Sequence, residues 1–139
     1  MSDDKARDRG PVGLLRIALA VVGTIFVIGI YPLTKLWPSG WAWGPDTSHY
    51  LAMIIGFYAT LGVFLLLATR DPLANRSLIW FTVVSSVVHA AIMAVQALSD
   101  AGERGHLLGD VPALLIVAAV LAVLQRRAET PRSVAAGTR

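Results

Sequence analysis

The chain has 139 residues, of which 55% are hydrophobic and only 15% are charged, and it contains no cysteine. A soluble domain of this size carries about 25% charged residues, so the deficit points to a membrane protein. The absence of cysteine excludes disulfides, thiolate nucleophiles and cysteine-bound metals. The net charge of +3 comes with no base-reading motif, so no nucleic-acid partner is expected.

Long apolar segments predict a single all-α domain, a four-helix transmembrane bundle with up-and-down topology, at residues 13–125. Residues 1–12 mix both signs of charge and are expected to form a mobile cytoplasmic tail. Residues 126–139 are basic and low in apolar content, which predicts a disordered tail. The predicted helices span about 13–33, 50–69, 76–98 and 105–125.

The tryptophans lie close to the predicted ends of these helices. Trp37, Trp41 and Trp43 fall in the loop after the first helix, and Trp80 lies one turn into the third. Indole rings favour the bilayer interface, so we interpret all of them as interface anchors. An aromatic lid over a ligand site is the alternative for the loop.

Small residues and prolines carry the packing predictions. Ala52 and Gly56 form a small-xxx-small pair, which predicts close helix packing in lipid. The short connector after Arg70 predicts an antiparallel hairpin of the second and third helices. Pro112 either lies in the first turn of the fourth helix or kinks that helix further in, and the sequence leaves both open.

A polar stripe runs along the third helix. Ser85, His89, Met93 and Gln96 share one helical face inside a lipid-length segment, so this face should look inward. His89 lies near the predicted bilayer centre, where an imidazole needs a hydrogen-bond partner such as a serine hydroxyl or a backbone carbonyl. It is either a structural residue or a group for proton transfer, haem ligation, or contact with a quinone or lipid head; we favour the structural role.

The predicted outer loops hold a second polar group. Asp46 and His49 share a face at i, i+3, and His106 and Asp110 share one at i, i+4, if both stretches are helical. Imidazole and carboxylate together suit a divalent metal, which makes these four residues weak candidate ligands. Solvated loop charges are the ordinary explanation, and no cofactor is predicted. No HExxH, phosphate loop or catalytic triad order is present in the sequence, so it gives no support for an enzyme.

The basic residues predict the orientation. Ten of the twelve lysines and arginines lie in the N-terminal stretch through Arg16, the connector and the C-terminal tail, whereas Lys35 and Arg104 lie on the other side. Basic residues concentrate in cytoplasmic loops, so both termini are expected to be cytoplasmic.

The stretch RIALAVVGTIFVIGIYPL and the later stretch GFYATLGVFLLLATRDP resemble small, uncharacterised four-helix bacterial membrane proteins, broadly DoxX-like. The resemblance implies an up-and-down bundle in a bacterial inner membrane. Several such families carry a Gly-Arg pair in the third helix, whereas His89 and Ala90 lie there in this chain, so no site residues are transferred.

Three functions follow as hypotheses. The first is a structural or accessory inner-membrane protein that binds a lipid or a membrane protein partner, or forms a homo-oligomer. The second is an oligomeric transporter or channel unit. The third is a redox, quinone or metal-handling protein that uses His89 or the outer histidines.

Overall fold

The structure, a computed structural model, describes residues 10–42 and 49–136, with side chains through residue 130. Every regular element in these ranges is helical. Four helical spans in them are long and apolar enough to cross a membrane, as the sequence predicts. The elements are α1 (Pro11–Leu36), α2 (Pro38–Trp41), α3 (His49–Ala68), α4 (Arg76–Ser99), a 3₁₀ segment (Ala101–Leu107) and α5 (Asp110–Ala136).

The surface of these spans is apolar. Large side chains such as Ile17, Ile28, Val95 and Ile116 are each at least 60% exposed. A continuous apolar surface of this kind is unfavourable in water but matches the hydrocarbon of a bilayer.

A π-helical turn, Ile25–Gly29, interrupts α1 just before Pro32. The N–H of Ile30 bonds to the carbonyl of Ile25, five residues back. Proline lacks an N–H and its ring crowds the carbonyl four residues earlier, so a regular α-helix would be strained here. The wider turn accommodates Pro32 and lets α1 continue to Leu36, beyond the predicted end at residue 33.

Glycines set the crossing of α1 and α3. A methyl group at Gly62 would lie 2.7 Å from the carbonyl oxygen of Gly23, and one at Gly23 would lie 2.9 Å from that of Gly62. The prediction that Ala52 and Gly56 form the close contact is wrong, because both residues are exposed and a methyl group at Gly56 would meet nothing within 4 Å. The two backbones approach at Gly62, nearer the connector.

The helices are antiparallel to their neighbours but do not close into an even ring. α3 packs mainly on α1, α4 packs mainly on α5, and α1 joins α5. The predicted hairpin of α3 and α4 is present as a short connection, where Asp71 accepts a hydrogen bond from the N–H of Ala74. The two helices nevertheless make little contact with each other. A cleft therefore separates α3 from α4.

The fourth span differs from the predicted helix at 105–125. It opens with the 3₁₀ segment, and the α-helix starts only at Asp110, so Pro112 lies in its first turn, where proline is tolerated. The 3₁₀ segment packs against α2. A methyl group at Gly105 or Gly109 would collide with the carbonyl oxygens of Ser39 and Gly40, respectively.

The predicted disorder of residues 126–139 is wrong for the described part, because α5 continues to Ala136. Ala128 is buried, and the Gln125 amide donates to Glu129 at 2.8 Å. The Arg126 guanidinium lies 5.7 Å from the centre of the Trp80 ring on α4. Packing against α4 therefore stabilises a helical extension that composition alone does not reveal.

Candidate functional site

The cleft between α3 and α4 encloses about 700 Å³, a volume typical of ligand sites. It exists because α3 is held against α1 and α4 against α5, away from each other. It lies in the half of the two helices that is distant from their connector. Its lining residues are Tyr50, Ile54, Ser85, Val88, His89, Ile92, Met93, Gln96, Ser99, Asp100 and Glu103.

The wall of the cleft combines apolar residues with a few polar ones, and its end distant from the connector is charged. Ile54, Val88 and Ile92 line the wall, and Val88 and Ile92 are 52% and 54% exposed, so the cleft is open on the side that faces lipid. Where α4 ends, Asp100 and Glu103 border the cavity. We call this end the rim. Both charged side chains that line the rim in the described residues are acidic.

A hydrogen bond joins His89 on the cleft wall to Tyr58 of α3. The Tyr58 hydroxyl oxygen is 2.9 Å from His89 Nδ1. Tyr58 is only 6% exposed, and its ring makes a T-shaped contact with Phe26 of α1 at 4.9 Å between centroids. A second cavity of about 470 Å³ reaches this pair and shares Tyr50 and Ile54 with the first. Packing on α1 thus fixes the hydroxyl that faces His89.

The predicted polar stripe lines the cleft. Ser85, His89, Met93 and Gln96 all border the cavity. Met93 is buried, Gln96 is exposed, and the Ser85 hydroxyl donates to the Thr82 carbonyl at 3.2 Å. The face therefore looks partly toward the bundle and partly into a cavity.

Tyr58 is the site residue that sequence reasoning missed. The sequence predicts a serine hydroxyl or a backbone carbonyl as a partner of His89, and the structure shows that a phenol on α3 is one of its partners. One signal was available: Tyr58 is a hydroxyl-bearing ring near the middle of an apolar helix, at a depth similar to that of His89 in an antiparallel hairpin.

A cluster of one histidine and two carboxyl groups, mostly buried, lies beside the rim. His106 is 1% exposed, with Nε2 3.0 Å from Glu103 and Nδ1 3.1 Å from Asp110. An imidazole forms both bonds as a donor only in its charged form; otherwise one carboxyl must carry a proton. We call Glu103, His106 and Asp110 the rim cluster. Through Glu103 it is in contact with the cleft.

The candidate metal ligands do not converge in the part of the chain that the structure describes. His106 and Asp110 come together, but Glu103 and Asp110 bond opposite nitrogens of one ring, so they cannot share an ion with it. His49 is exposed at the start of α3, and Asp46 lies outside the described residues. Within the described ranges, no group of three or more metal-ligating side chains that could hold an ion is present.

The predicted interface anchors lie near helix ends. Trp37 is 41% exposed between α1 and α2, whereas Trp41 and Trp80 are partly buried against the core. Trp43 lies outside the described residues. Their role at a bilayer surface stays a prediction.

Four apolar helical spans with a lipid-facing surface define a multi-pass helical membrane protein. Within that class the chain belongs to DUF6632, a family of unknown function, whose match covers residues 9–139. Comparison with curated proteins and with solved structures gave no match.

Proposed function

We propose that this protein is an accessory protein of the membrane that binds a lipid-like, amphipathic small molecule in the cleft between α3 and α4. The single observation that carries the proposal is the cleft itself, an apolar cavity of about 700 Å³ with a few polar groups at defined places. Such a combination is typical of small-molecule sites. No constellation for covalent chemistry accompanies it among the described residues, so binding is the activity proposed.

The opening of the cleft favours a ligand that is dissolved in the bilayer. Val88 and Ile92 are exposed on the cleft wall of α4, as are Met53 and Phe57 beside the second cavity on α3. A molecule that diffuses within the membrane can enter between these walls without crossing the polar rim. Its apolar part then replaces the lipid chains that would otherwise fill the gap.

We further propose that the protein lies in a plasma or bacterial inner membrane with both termini in the cytoplasm. The strong excess of basic residues at the connector end supports this orientation. The rim and the rim cluster then face the outside. A relationship to DoxX-like proteins is part of the same proposal.

Analysis of what copurifies with the protein in mild detergent tests the binding function. Val88→Trp places an indole in the cleft, whereas Val84→Trp places the same ring on the lipid-facing surface one turn away, where Val84 is 58% exposed. Native mass spectrometry should find a bound small amphiphile on the wild type and on Val84→Trp, and a strong loss on Val88→Trp. Equal adduct patterns in all three proteins would contradict binding in the cleft.

A further inference from the structure

Tyr58 and His89, here called the polar pair, lie at a depth that phospholipid headgroups do not reach. Tyr58 is nine residues from the first residue of α3, and His89 is ten residues from the last residue of α4. At 1.5 Å per residue both lie about 15 Å from the rim, near the middle of a hydrocarbon core that is about 30 Å thick. A ligand that contacts this pair must therefore carry a polar group that is itself stable at mid-membrane depth.

Charge at the rim argues against an anionic headgroup there. The Asp100 carboxylate borders the cavity where a phospholipid would place its phosphate, and Glu103, which also borders it, bonds His106 on its other side. Like charges at close range are unfavourable, and they are more so beside a low-dielectric wall. The cleft therefore favours a neutral ligand over a phospholipid.

The hydrogen-bonding capacity of the pair fits two related polar groups. When His89 Nδ1 carries no hydrogen, the Tyr58 hydroxyl donates to it, and the hydroxyl oxygen can still accept a bond. In the other tautomer Nδ1 carries the hydrogen, so the ring donates to the Tyr58 oxygen and the hydroxyl hydrogen becomes available to an acceptor. The same pair can thus serve a hydroxyl or a carbonyl.

The surroundings of the pair suit a flat ring. Tyr50 and Phe57 line the cavity beside Tyr58, and Met53 borders the same space. Aromatic side chains favour offset or edge contacts with another ring, and methionine sulfur adapts to ring edges. The adjoining volume of about 700 Å³ leaves room for a tail along α4.

From depth, charge, hydrogen bonding and shape together, we infer that the cleft binds a lipophilic para-quinone or its quinol, with the ring at Tyr58 and His89 and the apolar tail toward lipid. A quinone presents carbonyls and a quinol presents hydroxyls, the two groups that this pair can satisfy. The inference rests on the proposed function and names the chemical class of its ligand. It concerns binding and requires no electron transfer by this chain.

Titration of the purified protein with decylubiquinone and with decylubiquinol tests the inference, with thermal unfolding in detergent as the readout. Both forms should raise the unfolding temperature of the wild type and of Val84→Trp, and neither should shift Val88→Trp. Phosphatidylglycerol, titrated in parallel, should give a much smaller shift. This design separates binding in the cleft from general partition into the micelle.

Removal of one hydroxyl tests the placement of the ring. Tyr58→Phe keeps the aromatic contact with Phe26 and should weaken decylubiquinone binding about tenfold, the effect of one hydrogen bond. Tyr31→Phe is the matched control, because Tyr31 is 57% exposed on α1 and does not line the cleft. Its affinity should equal that of the wild type.

Three other outcomes would each overturn a stated part of the two proposals. Cleft-dependent quinone binding that Tyr58→Phe leaves unchanged would overturn the placement of the ring. Cleft-dependent binding of phosphatidylglycerol without quinone binding would overturn the quinone class and leave the proposed function standing. Failure of every titrant, together with no adduct in native mass spectrometry, would overturn both.

Discussion

At the scale of single residues, the hydrogen bond between Tyr58 and His89 matters because it joins two helices that otherwise make little contact. In a bilayer, side-chain hydrogen bonds between helices contribute only about 0.6 kcal/mol on average. The second cavity, which both residues line, gives a further reason to place a phenol and an imidazole there. Stability and the proposed ligand binding can therefore be tested separately at this pair.

A double-mutant cycle measures the structural share of the pair. Tyr58→Phe and His89→Leu should each lower the free energy of unfolding by about 0.5–1 kcal/mol, and the double variant should cost less than the sum of the two. The expected coupling energy is about 0.6 kcal/mol, measured by unfolding in mixed micelles. Strict additivity would show that the 2.9 Å contact contributes nothing to folding.

His106 has a different role, because its two ring nitrogens bond the carboxyl groups of Glu103 and Asp110, and Asp110 lies in a nearly solvent-free place. His106→Leu leaves Glu103 and the 1% exposed Asp110 without their shared partner. Loss of one member of a buried ionic group costs about 3 kcal/mol, so this variant should unfold at markedly lower denaturant. His49→Leu is the control, since His49 is exposed, and it should leave stability unchanged. Equal stability of both variants would contradict a structural rim cluster.

At the scale of elements, a close crossing of α1 and α3 holds α3 away from α4. Gly62→Ala would place a methyl group 2.7 Å from the Gly23 carbonyl oxygen, and such overpacking should cost about 2 kcal/mol of unfolding free energy. Gly56→Ala on the same helix meets nothing within 4 Å and should be neutral or stabilising, by up to about 1 kcal/mol. If the two substitutions had the same effect, the crossing would lie elsewhere.

The helices themselves could be predicted from the sequence, but their partners could not. Hydropathy and length located all four spans, because a bilayer requires long apolar helices with internally satisfied backbones. Small-residue spacing selected Gly56 instead of Gly62, since several faces of α3 carry small residues and only packing decides among them.

Part of the candidate site could also be predicted from the sequence. Helical periodicity placed Ser85, His89 and Gln96 on one face, and that face lines the cleft. Tyr58 lies thirty-one positions from His89, so it could be identified as a partner only once the arrangement of α3 and α4 was known. The extension of α5 depends similarly on contacts with Trp80 and α4, which composition does not encode.

At the scale of the whole molecule, the two ends of the bundle differ in character. Ser39 and the 3₁₀ segment pack together at the rim end, whereas the Arg16 side chain donates to the Arg70 carbonyl at 3.4 Å at the connector end. Of the described basic residues, Arg16, Arg70, Arg76 and Arg126 lie toward the connector end. The orientation of the protein therefore decides which side of the membrane the rim faces.

Single cysteines test this orientation cleanly, because the natural chain has none. Cysteines at Ser39 and Ala101 should react with a membrane-impermeant maleimide in intact cells, and one at Ala74 should react only after permeabilisation. Labelling of Ala74→Cys from outside would show that the bundle has the opposite orientation. Labelling of all three would contradict the four-span arrangement.

The separation of α3 and α4 is the feature on which the binding proposals depend, and pulsed electron paramagnetic resonance in nanodiscs measures it most directly. Spin labels at Tyr50 and Ser99 report the rim of the cleft, and labels at Leu67 and Ser77 report the connector end. We expect a rim distance several ångströms longer than the connector distance, because the helices part toward the rim. Similar distances at both ends, consistent with continuous packing at about 8–10 Å between axes, would contradict the cleft.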